Sequence, residues 1–277
     1  MVTQEQRRRQ LAREKFLRQQ QRRTSARRKA RMRNAAIASV LGVILIGSVA
    51  LYTTGVVLGD DDDKTNASAE VTPSASAPSK APDPCDKPAD GKVETQTWKK
   101  EPAMTVDESA KYTMKLETTC GDIDIALKAK AAPHTVNSFD FLAGKGYFDH
   151  TKCHRLTTEG IYVLQCGDPT AKGNGGPGYN IPDENLKDKS LKDNMYPAGT
   201  VAMANTGQPD SGGSQFFLVY QNSQLPPSYT PFGTVSDAGM KVLKKIAAAG
   251  AQAPDPTTGN TAPNATVVID KATVTKS

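Results

Sequence analysis

The sequence has few histidines, and none is placed to build a metal centre. His134, His150 and His154 are scattered, and only His154 has cysteines beside it. Cys153, His154 and Cys166 match no zinc spacing, and neighbours on a strand point to opposite faces, so Cys153 and His154 do not converge. No metal is expected. A catalytic thiol needs a lowered thiolate pKa and a base partner; nothing in the pattern marks one, and an oxidising compartment works against free thiols. None lies near the one long apolar run, which argues against a lipoprotein anchor. Repeats with a period of roughly 20 to 50 residues are missing, which speaks against a solenoid or propeller.

Acidic residues are nearly missing from the N-terminus. Residues 1–34 hold thirteen Lys/Arg and two Glu, a net of +11; the whole chain is +6, which leaves −5 for the rest. The basic character therefore belongs to a tail. That tail lacks interleaved aromatics, so it reads as a topology signal resting on anionic headgroups, and no nucleic-acid partner is expected.

From Ala35 to Leu58 runs AAIASVLGVILIGSVALYTTGVVL, twenty-four residues without a charge. A helix of about 20 apolar residues spans a bilayer. Cations precede the run and Asp60–Asp63 follow it, so the positive-inside bias puts the N-terminus in the cytoplasm and the remainder across the membrane. A cleaved signal peptide is the rival, with Ser48-Val49-Ala50 as a passable site, but the basic region is long and the apolar run continues past it. An uncleaved single-pass anchor in the cell membrane is expected, with an extracytoplasmic domain. Residues 59–97 are Ala/Ser/Pro-rich and cannot bury enough apolar surface to offset chain entropy. The expected organisation is a basic cytoplasmic tail (1–34), a transmembrane helix (35–58), a disordered linker (59–97) and a folded domain (98–277).

The folded part reads mostly as strands. Tyr112, Met114 and Leu116 alternate with polar residues, as do Ile123, Ile125 and Leu127, and Thr118–Gly121 between them predict a hairpin. A helix is expected after Pro133, with Thr135 as its cap and Gly144 as its stop; a second should run over 238–248, capped by Ser236 or Asp237. Further strands are expected at 153–157, 161–165, 199–203 and 215–220, with closing strands at 266–269 and 272–275. Many short strands with two helices indicate an antiparallel barrel or sandwich. The Gly/Asn/Asp/Lys-rich stretch 168–197 reads as a functional surface excursion.

Four cysteines on the exported side allow three pairings, and the sequence does not choose among them. If 153–157 and 161–165 pair as a hairpin, Cys153 and Cys166 lie near its open end; Cys85 is then left to reach Cys120. Beside them stands Arg155. Downstream, VAMANTGQPDSGGSQFFLV (201–219) gathers Asn205, Gln215, Phe216 and Phe217. Arginine, glutamine and asparagine beside aromatics describe a shallow apolar pocket rimmed with hydrogen-bonding groups, and no nucleophile or acid–base pair accompanies them. Such a site suits peptide binding, or a reaction that breaks no bond. Phe216 reads as core, His154 as packed, and Trp98 as packed on the domain.

The motifs His154-Arg155, Gln165-x-Gly167-Asp168, Met203-Ala204-Asn205-x-Gly207, Gly213-Ser214-Gln215-Phe216-Phe217 and Phe232-Gly233-x-Val235, in this order, make residues 112–275 similar to the cyclophilins. The resemblance implies a closed eight-stranded antiparallel barrel capped by two helices, with peptidyl-prolyl cis-trans isomerase activity and no cofactor. It also implies action on proline-containing polypeptides; nothing in the sequence suggests more than a monomer. It places the catalytic roles on Arg155 and Gln165, and the proline pocket on Phe217, Tyr162 and Val163. Ala204, Asn205 and Gln215 would hold the substrate backbone. The chain departs from the family in having two extra residues between Arg155 and Gln165. Leu225 stands where many members have tryptophan, and Tyr229 replaces a common histidine; weakened cyclosporin binding follows from the lost tryptophan. A membrane-tethered binding module or chaperone without catalysis is the alternative.

Overall fold

The structure, a computed structural model, describes residues 82–277. The expected tail, membrane span and most of the linker lie outside the described residues. Among the described residues no helix is long and apolar enough to cross a membrane.

The first hairpin follows its alternation. Strands β1 (Tyr112–Thr118) and β2 (Gly121–Leu127) pair antiparallel, with Met114, Leu116, Ile123 and Ile125 turned into the core and Glu117 and Asp122 outward. Around them come β3 (Thr151–Lys152), β4 (Arg155–Leu156), β5 (Val163–Cys166), β7 (Thr200–Met203), β8 (Phe216–Val219), β10 (Pro231–Val235) and β11 (Val268–Lys276). Their order is β3-β11-β1-β2-β10-β7-β8-β5-β4. Two further strands, β6 (Met195–Tyr196) and β9 (Ser223–Gln224), pair separately. The expected closed eight-stranded barrel is thus a curled nine-stranded sheet. Its edge strands β3 and β4 are joined by Cys153-His154 rather than by a ladder of hydrogen bonds.

The two expected closing strands are one, β11, whose pairing with β1 shifts register at Asp270. A bulge of this kind frees a side chain from the ladder, and the Asp270 carboxylate accepts the Ala89 N–H at 3.0 Å. That contact belongs to a second correction. Residues 83–97, read as linker, are held on the domain. Cys85 is bonded to Cys120, Asp86 N–H donates to the Thr119 carbonyl (2.8 Å), and Asp83 accepts the Thr266 N–H (2.9 Å). A covalent bond and main-chain hydrogen bonds hold what apolar burial alone would not.

Helix α1 (Pro133–Gly144) begins with proline at its first turn, where the missing N–H costs nothing. Thr135 is not its cap. The Glu184 carboxylate accepts the N–H groups of His134 (3.0 Å) and Thr135 (2.9 Å) and the Thr135 hydroxyl (2.8 Å). A distant anion thereby satisfies free donors at a helix N-terminus, where the dipole favours negative charge. Helix α2 (Asp237–Ala248) is capped by Ser236, which accepts the Gly239 N–H at 3.1 Å. Between sheet and α1 lies an aromatic centre: Phe139 meets Phe232, Phe148 and Phe216 at ring separations of 4.6, 5.3 and 5.4 Å.

Candidate active site

The period of two on β5, β7 and β8 builds two apolar clusters at once. Leu164, Cys166, Val201, Met203, Phe216 and Leu218 face the main core. Val163, Ala202, Phe217 and Val219 face the other way, where Leu225 and Tyr196 complete a smaller cluster. That outer cluster floors a shallow cavity of about 150 Å³. Arg155, Gln165, Ala204 and Asn205 line it together with the apolar side chains of Val163, Phe217, Leu225 and Tyr229.

Arg155 stands opposite Gln165 in the β4–β5 ladder. Its Nη1 donates to Gln165 Oε1 at 3.3 Å; Gln165 Nε2 donates to Gln215 Oε1 at 2.9 Å; Gln215 Nε2 donates to the Gly175 carbonyl at 2.9 Å. This relay fixes which way each amide points, so the guanidinium is oriented before any ligand arrives. Burial lowers the Arg155 pKa from its ordinary value, against a smaller opposing effect of Tyr229. A guanidinium nevertheless stays protonated, so the cavity holds a partly desolvated permanent donor.

The relay ends on a loop built by one carboxylate. Burial would raise the Asp168 pKa, but the N–H groups of Gly175, Thr170 and Gly173 and the Thr170 hydroxyl outweigh it and hold it low. Asp168 Oδ2 accepts the N–H of Gly173 (2.6 Å), Asn174 (3.0 Å) and Gly175 (3.1 Å). Residue 175 must be glycine, because a Cβ there would come within 2.1 Å of Asp168 Oδ1. Past Gln165, Ala204 and Asn205, which line both spaces, this loop walls a larger hollow of about 420 Å³ with residues 173–180 and Gln215. Another cavity of about 460 Å³ lies by His154, Gln252 and Ala262–Val267, with neither the arginine nor the aromatic floor. Size therefore does not select the site; the chemistry of the lining does.

Most expected site residues come together here, with two differences. Tyr162 does not line the cavity. Just before β5 it packs on the main core, with its ring 5.9 Å from Tyr220, and Ile161, which packs on the smaller cluster, lines the cavity instead. The Asn205 side chain is turned to the protein: Nδ2 donates to the Ser228 carbonyl (2.7 Å) and Oδ1 accepts the Gly207 N–H (3.0 Å). Tyr196 was not singled out from the sequence. Its hydroxyl donates to the Tyr229 carbonyl at 2.9 Å from beneath the floor, and burial pushes its pKa up to about 12. Tyr229 in turn sets its ring edge-on to Phe217 at 5.3 Å. No sequence signal marked it: Tyr196 falls in the stretch 168–197 expected as a surface excursion, where the structure has the two-residue strand β6. Cys153 is bonded to Cys166 behind the Arg155–Gln165 pair. His154 is buried with no partner on either ring nitrogen, and burial lowers its pKa. It is a packed neutral side chain. Among the described residues no group of three metal-ligating side chains converges.

Comparison with known proteins gives a consistent result. Residues 113–274 match the family described as cyclophilin type peptidyl-prolyl cis-trans isomerase/CLD. A probable peptidyl-prolyl cis-trans isomerase B of Mycobacterium leprae is 44% identical over 179 residues, covering 62% of this chain and 56% of the relative. A peptidyl-prolyl cis-trans isomerase of Synechococcus elongatus is 37% identical over 133 residues, covering 47% of this chain and 86% of the relative. Among solved structures, a Cryptosporidium parvum cyclophilin-type isomerase, crystallised in the presence of the dipeptide Ala-Pro, is similar at a TM-score of 0.47. It is 27% identical, covering 59% of this chain and 98% of that one. The chain spans about half the length of the mycobacterial relatives it matches.

Proposed function

Because the chain belongs to the cyclophilin-type peptidyl-prolyl cis-trans isomerase family, we propose that it catalyses cis-trans isomerisation of X–Pro bonds, with Arg155 as the catalytic group. Amide resonance sets a rotational barrier of about 18–20 kcal/mol, and X–Pro bonds exchange unaided over roughly tens to hundreds of seconds. A catalyst must favour the twisted amide over the planar one. Twisting returns a lone pair to the prolyl nitrogen, and a guanidinium donating to that nitrogen stabilises the twisted form alone. Phe217, Val163, Ile161 and Leu225 would grip the proline ring. Gln165 orients the guanidinium. Because the Asn205 side chain is turned inward, we assign its contact with substrate to its main chain; Gln215 and Ala204 would complete the rim.

The observation that carries this reading is the Arg155–Gln165–Gln215–Gly175 relay above an apolar floor. A site that only bound proline would have no need to aim a desolvated donor across it. A chaperone surface finds less support, since among the described residues Met104 is the large apolar side chain left exposed. The basic tail, apolar run and acidic segment support a single-pass anchor with the isomerase domain outside the cell membrane, where exported chains would be its substrates. The test is exchange of an Ala-Pro peptide with the full chain in mild detergent. Acceleration that scales with protein concentration is expected; a folded chain that leaves the exchange rate unchanged would overturn the assignment.

A further inference from the structure

We propose that Trp98, which lies before the family-matched residues, is a positioning residue that sets substrate selectivity by fixing the wall of the 420 Å³ hollow; the proposal rests on the isomerase reading above. The Trp98 N–H donates to the Pro177 carbonyl at 2.8 Å. A Cβ on Gly178 would approach the Trp98 carbonyl oxygen within 2.8 Å, and Gly178 takes φ +87°, so the two backbones touch at a point that only glycine allows. Pro177 and Gly178 line the hollow on their other side.

The indole reaches a second wall. Its ring lies edge-on to Phe141 at 5.1 Å and tilted against Tyr147 at 5.9 Å. The Tyr147 hydroxyl is 3.1 Å from Ser214 Oγ, which donates to the Gly167 carbonyl at 2.7 Å, and Ser214 also lines the hollow. Trp98 thus holds the 173–180 loop directly and the 213–215 segment through Tyr147. Its own segment is tied down on both sides, by the Cys85–Cys120 bond before it and by the Glu101–His134 pair (2.7 Å) after it. None of these contacts touches Arg155 or the aromatic floor directly; they reach the neighbouring cavity only through Gly175 and Gln215, the far members of the relay. A substrate filling only the proline cavity should sense Trp98 through that relay alone. One whose flanking side chains enter the hollow should sense it strongly, and the effect should lie in binding rather than turnover.

The experiment compares the full chain with Trp98→Ala and Trp98→Phe on two substrates. One is a minimal blocked Ala-Pro peptide. The other is a longer proline peptide with leucine at the second and third positions on both sides. In Trp98→Ala, the ratio of kcat/KM for the long peptide to that for the minimal one should fall at least about fivefold, with the loss in KM. Trp98→Phe, which keeps an aromatic ring against Phe141 and Tyr147, should recover most of it. Tyr147→Phe removes one hydroxyl and should shift the same ratio in the same direction even if Trp98→Ala does not fold. An unchanged ratio in both Trp98→Ala and Tyr147→Phe, or in Tyr147→Phe alone if Trp98→Ala is unfolded, would overturn the proposal. If the wild-type chain accelerates neither peptide, the isomerase reading fails. Calorimetric dissociation constants for the two peptides then carry the same ratio test for Trp98.

Discussion

Cutting each disulfide separately should divide stability from catalysis. Cys153 lies two residues before Arg155 and Cys166 directly follows Gln165, so this bond closes the hairpin beside the reacting pair. β4 offers only two rungs to β5, and on its other side Leu156 is held by Thr261 (2.7 and 2.6 Å). The main chain on either side is also held, by the Cys153 N–H on the Val267 carbonyl and the Thr157 N–H on the Val163 carbonyl (both 3.0 Å), but the disulfide is the covalent tie. Cys85–Cys120 instead ties down the N-terminal segment, far along the chain from the site. In the chain-entropy account, a separation of 13 residues makes the first bond worth about 3 kcal/mol and one of 35 makes the second worth about 4. Both Cys153→Ala/Cys166→Ala and Cys85→Ala/Cys120→Ala should therefore lose stability of this order in guanidinium unfolding, followed through Trp98, the single tryptophan. Only the first pair should also lower kcat on Ala-Pro under conditions where the chain is folded. Full kcat in the folded Cys153→Ala/Cys166→Ala variant, or an equal loss in the other, would refute the view that this bond positions Arg155.

Phe217→Ala removes the floor of the cavity and should raise KM for Ala-Pro about tenfold or more, with a smaller change in kcat; an unchanged KM would place the proline elsewhere. Leu225 in place of the family's frequent tryptophan should leave cyclosporin bound weakly, and a nanomolar dissociation constant by calorimetry would contradict this. His154 provides a pH test. Its folded pKa lies below the unfolded value of about 6.5, because burial disfavours the imidazolium, so it stabilises the fold above that pH. That contribution is lost as pH falls from about 6.5 through the folded value. His154→Leu should flatten the stability profile just below about pH 6.5 relative to wild type. Asp168, also held low, gives its own loss further down, below about pH 4. A mutant profile parallel to wild type below about pH 6.5 would rule out the histidine as the source.

What could be read from the sequence was local in cause. The β1–β2 hairpin is legible because burial follows a period of two, and the α2 cap because Ser236 lies three residues before its partner Gly239. The α1 cap is not, because Glu184 comes from about fifty residues downstream. Residues 83–97 have the composition of a tether, and their order depends on Cys85, on the Asp270 bulge and on main-chain hydrogen bonds, none of which composition records. The residue types Arg155, Gln215 and Phe217 suggest only an apolar pocket with a hydrogen-bonding rim; the individual roles of Arg155, Gln165 and Phe217 come from the resemblance to the cyclophilins. Tyr162 rests on the resemblance alone, across a segment with two extra residues, and the cavity is lined by Ile161 instead. Strand counting leads only to a barrel or sandwich and the resemblance to the cyclophilins implies closure with eight strands, whereas the ladder shows nine in one curled sheet.

The most direct test of the account is kcat on an Ala-Pro peptide for the full chain beside Arg155→Ala, with circular dichroism and unfolding midpoints confirming that both are folded. Preorganised donors of this type contribute roughly 10²–10³ in rate. The account predicts a loss of about that size in kcat with the fold retained. Near-normal turnover by folded Arg155→Ala would contradict it.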